Sequence, residues 1–145
     1  MDIIRDDEAL RERMQLLFGS IDALGFGFEI TDVSYEMGTA TLEFSVKPES
    51  ANQLGSVQGG VVATMLDACI GISGAVKSGG VLAMPLAEMK TTFIRSVPLE
   101  RLVGKGETLK LGKRLAYIEA SLFNENGDLL ARASGTASPI PFPDP

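Results

Sequence analysis

Residues 57–77 read VQGGVVATMLDACIGISGAVK, the longest apolar stretch in the chain, and the rest of the fold has to house it. From Val61 to Lys77 it is too long for an ordinary strand. It carries Ala63, Met65, Leu66 and Ala68, so its pattern predicts a helix. Ser78-Gly79-Gly80 follows with the glycine chemistry that ends helices. Between Val57 and Val76 the only charged residue is Asp67. A carboxylate in an otherwise uncharged helix is costly to bury, and needs a partner, an open cavity or a raised pKa. Two readings fit this pattern: an exposed stripe or structural hydrogen-bond acceptor, or a reacting group. The stretch is short for a membrane span and lies between polar strand-forming segments, so no membrane crossing is expected.

Gly59 and Gly60 stand at the start of this helix. Glycines let a ligand approach the backbone closely, and first-turn N–H groups have no intrahelical partner. With the positive end of the helix dipole they form a site for an oxyanion or a polarised carbonyl oxygen. A bare Gly-Gly pair also reads simply as a turn. Asp67 lies eight residues after Gly59, about 12 Å along a helix at ~1.5 Å per residue. One chain does not easily bring both to one reacting atom. Two antiparallel copies of the helix about a two-fold axis do, which predicts a site shared between subunits, two per dimer.

Composition narrows the chemistry. The 145 residues, 45% apolar and 22% charged, suit one globular domain spanning 1–145. A net charge of −6 without long basic runs argues against nucleic acid as a partner. There is no histidine, which removes Ser-His-Asp and Cys-His arrangements and imidazole zinc sites. One cysteine, Cys69, leaves no disulfide framework or thiolate zinc site, and the acidic start is unlike a signal peptide. A cytoplasmic protein without a metal is expected. Acid–base work then falls to carboxylates, lysines, tyrosines or water.

Outside the apolar stretch the patterning alternates between the two periods. Leu10, Met14, Leu17 and Phe18 mark an amphipathic helix over about 6–20, closed by Gly19 and Gly25. A strand is predicted near 28–34 and another at 39–46, where Ala40, Leu42, Phe44 and Val46 alternate with polar residues. Further strands are predicted over 83–97, 101–111, 113–124 and 129–138, the last pair joined by the Asn124–Gly127 turn. The proline-rich tail over 139–145 is expected to lie extended outside any ladder. An α+β domain results, with an antiparallel sheet of about six strands wrapped around a long central helix. That is the hot-dog arrangement.

The stretch from Asn52 to Asp67, with Gly55, Gln58-Gly59-Gly60 and an apolar helix leading to the Asp, resembles the signature of PaaI-like hot-dog acyl-CoA thioesterases of the thioesterase superfamily. The later segments Met89–Pro98 and Gly112-Lys113-Arg114 are similar to that family as well, and the resemblance runs over roughly 25–138. It implies that Asp67 is the nucleophile or the base for water and that the Gly59 amide polarises the thioester carbonyl. Asn52 would orient substrate or water. The chain departs from the family at Gln58, where the family usually has His; Gln keeps hydrogen-bonding ability but carries no proton or charge.

Weaker candidates surround these. Gly60 and Thr64 flank the helix start, and Thr64 either meets the carboxylate or substrate or bonds its own backbone. Thr91 or Thr92 would line a cleft or lie on the sheet surface. Arg95, Lys113 and Arg114 are candidates for the phosphates of coenzyme A, or solvated surface. Met65, Leu66 and Met89 line an acyl pocket or fill the core, and Cys69 reads as core. The expected activity is hydrolysis of an acyl-CoA to a carboxylic acid and free coenzyme A by a homo-oligomer, dimer or tetramer. No cofactor is expected, since coenzyme A belongs to the substrate. A non-hydrolytic acyl-CoA-binding protein is the rival reading. A hydratase of this fold, built on an Asp/His pair, does not suit a chain without histidine.

Overall fold

The structure, a computed structural model, describes residues 1–19 and 26–143. The first helix, α1 (Asp7–Leu17), is capped by Asp6, whose carboxylate accepts the Ala9 amide at 2.9 Å. Leu10 and Met14 enter the core while Leu16 and Leu17 stay exposed, so its buried stripe is narrower than the spacing predicted. The expected end of the helix at Ser20 and the closing Gly25 lie outside the described residues. Strands β1 (Phe26–Ser34) and β2 (Thr39–Val46) form the predicted hairpin, with Gly38 at φ +67° in its turn.

Helix α2 (Gly59–Lys77) starts two residues before the apolar run, so Gly59 and Gly60 are its first turn. At its other end Gly79 and Gly80 take positive φ and return their amides to Val76 and Ala75. The single strand expected over 83–97 is instead two, β3 (Leu82–Ala83) and β4 (Leu86–Phe93). Pro85, which has no N–H to give a ladder, separates them. After Phe93 the chain leaves its ladder, and the Ile94 and Arg95 amides both turn to Leu130 O.

Strands β5 (Arg101–Leu111), β6 (Ala116–Phe123) and β7 (Leu129–Ala137) complete the main sheet. The strand expected from Lys113 begins at Ala116, because Lys113 and Arg114 form the hairpin turn closed by Gly112 N–H donating to Leu115 O at 2.9 Å. The tail is a second correction. It makes β8 (Ile140–Pro141), paired antiparallel with β3, and Pro139, Pro141 and Pro143 hold that ladder to two residues. Phe142 then meets Phe18 edge-on, with centroids 6.3 Å apart.

The sheet order is β1-β2-β5-β6-β7-β4, antiparallel throughout. Alternation along each strand sends Leu42, Phe44, Leu102, Ile118 and Leu122 inward against α2, and leaves the other face polar. This is the hot-dog fold: a six-stranded antiparallel sheet wrapped around a central helix. By length and composition α2 could cross a membrane, but 61% of its apolar window is buried inside this wrap. The helix lies very close to β5. A Cβ added to Gly106 would come within 2.3 Å of Cys69 O, and one on Gly104 within 2.5 Å of Cys69 Sγ. These two inward positions of β5 therefore have to be glycine for the core to close.

The two edges of the sheet differ. Along β1, Gln15 of α1 accepts the Ile30 amide at 2.8 Å and Arg11 donates to Ile30 O at 3.3 Å. Side chains of α1 thus cover that edge. Among the described residues nothing is hydrogen-bonded along the outer edge of β4. An uncovered edge strand is a template for another chain.

Candidate active site

Helix α2 is buried by the sheet on one side and by α1 over its second half, where Phe18 lies 3.7 Å from a Cβ built on Gly71. Met65, Leu66 and Cys69 are fully buried, so they fill the core and do not line an open pocket. Burial pushes the Cys69 thiol up, and the Asp67 charge adds to this, which makes the cysteine inert. What remains open is one stripe of the first half: Gly60, Ala63, Thr64 and Asp67, spaced three and four residues apart. If Asp67 were a structural hydrogen-bond acceptor it would need a donor, and none meets it among the described residues.

Asp67 is solvent-accessible in the single chain, yet it stands on a mostly apolar helix. Desolvation raises its carboxyl pKa above the ordinary value. No neighbouring charge contributes to that shift. At the helix start, Val61 and Val62 return their amides to Gln58 O at 2.9 and 3.1 Å, whereas the Gly59 and Gly60 amides meet no acceptor among the described residues. The Gln58 side chain makes no capping bond either. Two free N–H groups, an uncommitted carboxamide and the positive helix end therefore share one exposed spot.

Asn52 stiffens the approach to that spot. Its Oδ1 accepts from Leu54 N at 2.9 Å, Ser56 N at 3.2 Å and Ser56 Oγ at 3.3 Å, which leaves only its Nδ2 for anything outside the loop. Thr64 donates its hydroxyl to Gly60 O at 2.8 Å, the local backbone bond, and retains its oxygen lone pairs as acceptors. Thr91 and Thr92 face opposite sides of the sheet. Thr92 lines an outer-face cavity of about 310 Å³ with Lys90, Glu119 and Arg132, away from α2.

The basic candidates separate as well. Arg95 lies just past Phe93, at the N-terminal end of α2, and its guanidinium donates to Leu129 O. Strand β5 runs alongside α2 in the same direction, Gly104 beside Cys69 and Thr108 near Lys77. The turn holding Lys113 and Arg114 is therefore at the opposite end of the helix within one protomer. Sequence patterning gives Phe93 no role, yet the fold brings it against Gly59: a Cβ there would lie 3.4 Å from the ring. Only the topology could reveal this, since 34 residues separate the two.

A model of the thioesterase superfamily matches residues 54–131, more than half of the chain. A protein of Thermoplasma acidophilum, provisionally named an esterase, is 24% identical over 110 residues, which are 75% of this chain and 80% of that protein. Among solved structures, a Streptococcus pneumoniae protein described as a hypothetical thioesterase and solved with coenzyme A superposes with a TM-score of 0.76. It is 21% identical and covers 90% of this chain and 99% of its own. The Escherichia coli PaaI protein of the phenylacetic acid degradation operon gives a TM-score of 0.77 at 17% identity, covering 90% and 96%. These structural likenesses report the shared fold, and the family match supports thioester hydrolysis as the general chemistry. The chain belongs to the thioesterase superfamily.

Proposed function

We propose that the protein hydrolyses acyl-CoA thioesters to a carboxylic acid and free coenzyme A, at two sites per dimer. The observation that carries this reading is the pairing of one carboxylate, Asp67, with unbonded helix-start amides, on the one stripe of α2 that sheet and α1 leave open. The thioester oxygen would accept from Gly59 N–H, with Gly60 beside it. Asp67 of the facing subunit would attack the carbonyl carbon, giving an acyl–Asp67 anhydride that water then hydrolyses to the acid, or would deprotonate a water that attacks that carbon directly. Coenzyme A leaves as a thiolate, whose conjugate acid ionises near the cysteine range of about 8.5, so expulsion needs no histidine acid. Asn52 Nδ2 and the Gln58 carboxamide would align the reactants.

The register of the two helices follows from this reading. Asp67 opposite Gly59 in an antiparallel pair puts the midpoint, Ala63, on the two-fold axis. Gly60, Ala63 and Thr64 are small enough for close approach, and the uncovered β4 edge offers a second contact. The same antiparallel arrangement carries the Lys113-Arg114 turn of each subunit toward the α2 start of the other, where Arg95 stands. Those three cations would then serve the phosphates of one coenzyme A, and Thr91 would face the acyl group. A dimer is the minimal active unit. A tetramer would need the outer sheet face, whose Glu43–Arg101 and Glu119–Arg132 ion pairs suit polar contact.

Gln58 in place of the family's His favours a second reading, a protein that binds acyl-CoA without turnover. Thiol release from short, medium and aromatic acyl-CoAs decides between them. Turnover that disappears in Asp67→Asn supports hydrolysis, while tight binding with no thiol release supports the binding module. The panel also reports the acyl class.

A further inference from the structure

Phe93 is the last residue of β4 and is 55% exposed, although it stands at the foot of the central helix. The atoms nearest a Cβ on Gly59 are Cζ and Cε1, at 3.4 and 3.5 Å. They are adjacent atoms at the tip of the ring, so it is the ring tip that meets the helix start. The strand end that presents it is braced. Ile94 and Arg95 give their amides to Leu130 O at 2.9 and 3.0 Å, and the Arg95 guanidinium holds Leu129 O. Counting ~1.5 Å for each bond from the Gly59 nitrogen through Cα to a Cβ, an oxygen about 2.9 Å from that nitrogen lies no more than roughly 9 Å from the ring tip, so the acyl carbons attached to its carbonyl come within reach of the ring.

We propose that Phe93 is a specificity-determining residue whose ring walls the part of the acyl group next to the thioester carbonyl. The proposal rests on the reading above, in which Gly59 takes the thioester oxygen. A straight acyl chain lays its first methylenes along the ring face. A substituent on the α-carbon is forced toward the ring and is disfavoured.

The test compares straight and α-branched substrates of equal carbon number, butyryl- with isobutyryl-CoA and hexanoyl- with 2-methylpentanoyl-CoA. Steady-state kcat/KM is measured for the native protein, Phe93→Leu and Phe93→Ala. The branched-to-straight ratio is expected to rise about tenfold in Phe93→Ala, the scale on which an apolar site senses one methyl group, and by less in Phe93→Leu. The leucine variant keeps an apolar side chain there, so it carries the test if the alanine variant does not fold. Turnover with an unchanged ratio overturns this proposal alone and makes Phe93 structural. No turnover of any acyl-CoA by the native protein overturns the functional reading, and this proposal with it.

Discussion

Asp67 is the residue on which both stability and activity turn. Its carboxyl pKa is raised by desolvation, so the folded chain holds this proton to a higher pH than the unfolded chain does. The stability from that group is full below the ordinary carboxylate pKa and is lost as pH rises through the raised one. Asp67→Asn has no such loss. Its thermal midpoint should exceed the native one at neutral pH, with the gap closing below the ordinary carboxylate range. The same variant should lose about 10²–10⁴-fold in kcat, the usual contribution of a positioned base. In the native protein, kcat/KM should rise with pH along one carboxylate ionisation displaced upward, with no histidine step. A rate that falls as pH rises through that carboxylate ionisation would remove Asp67 as base or nucleophile. The amide is tested one turn earlier. Gly59 is the first helical residue, where proline is tolerated, and Gln58 before it is already extended at ψ 139°. Gly59→Pro removes the N–H and adds the proline ring, and should cost about 10²–10³-fold in kcat. Gly59→Ala keeps the N–H and meets the same Phe93 contact, so it is the control, and equal losses in both variants would assign the effect to Phe93 crowding.

At the scale of elements, periodicity was the readable signal and close approach was not. The apolar run from Val61 announced α2, and the 40–46 alternation announced β2, because burial on one face writes itself into residue spacing. The α2 start was harder, since glycines carry no periodic signal and Gly59-Gly60 read equally well as a turn. Pro85 was visible, but that it divides a strand, and that the tail returns to pair with β3, depends on contacts between distant segments. The location of Asp67 and of the Gly59 amides was legible in the same way, through a lone charge and an unpartnered helix start. The separation of Arg95 from Lys113 and Arg114, and the position of Phe93, were not legible, because strand order decides them. The glycines of β5 belong here too. Gly106→Ala drives a methyl group into Cys69 O and Ser73 Oγ, which lies 2.7 Å from the added Cβ, and backbone cannot move as a side-chain end does. Such overpacking should destabilise the fold by about 1–3 kcal/mol in chemical denaturation, and a neutral result would mean that α2 sits farther from the sheet.

The whole molecule poses the question that no single chain answers, whether Asp67 and Gly59 of one site come from different copies. Within one helix they are separated by two turns, and α1 and the sheet cover the rest of α2. An interchain site makes a prediction that an intrachain site cannot imitate. Asp67→Asn lacks the carboxylate and keeps the amide, while Gly59→Pro lacks the amide and keeps the carboxylate. Each is nearly inactive alone. When the two are mixed in equal amounts and allowed to exchange subunits, half of the dimers carry one of each. In such a dimer one site combines both defects, and the other combines an intact Asp67 with an intact Gly59. Half of the dimers with one of two sites restored gives about a quarter of the native rate, for a closed two-fold assembly with equivalent sites. If each site were built within one chain, every site in the mixture would keep a defect, and activity would stay at the level of the parents. Native mass spectrometry of the mixture, with one variant isotope-labelled, establishes that heterodimers have formed, so a flat result after exchange refutes the shared site itself.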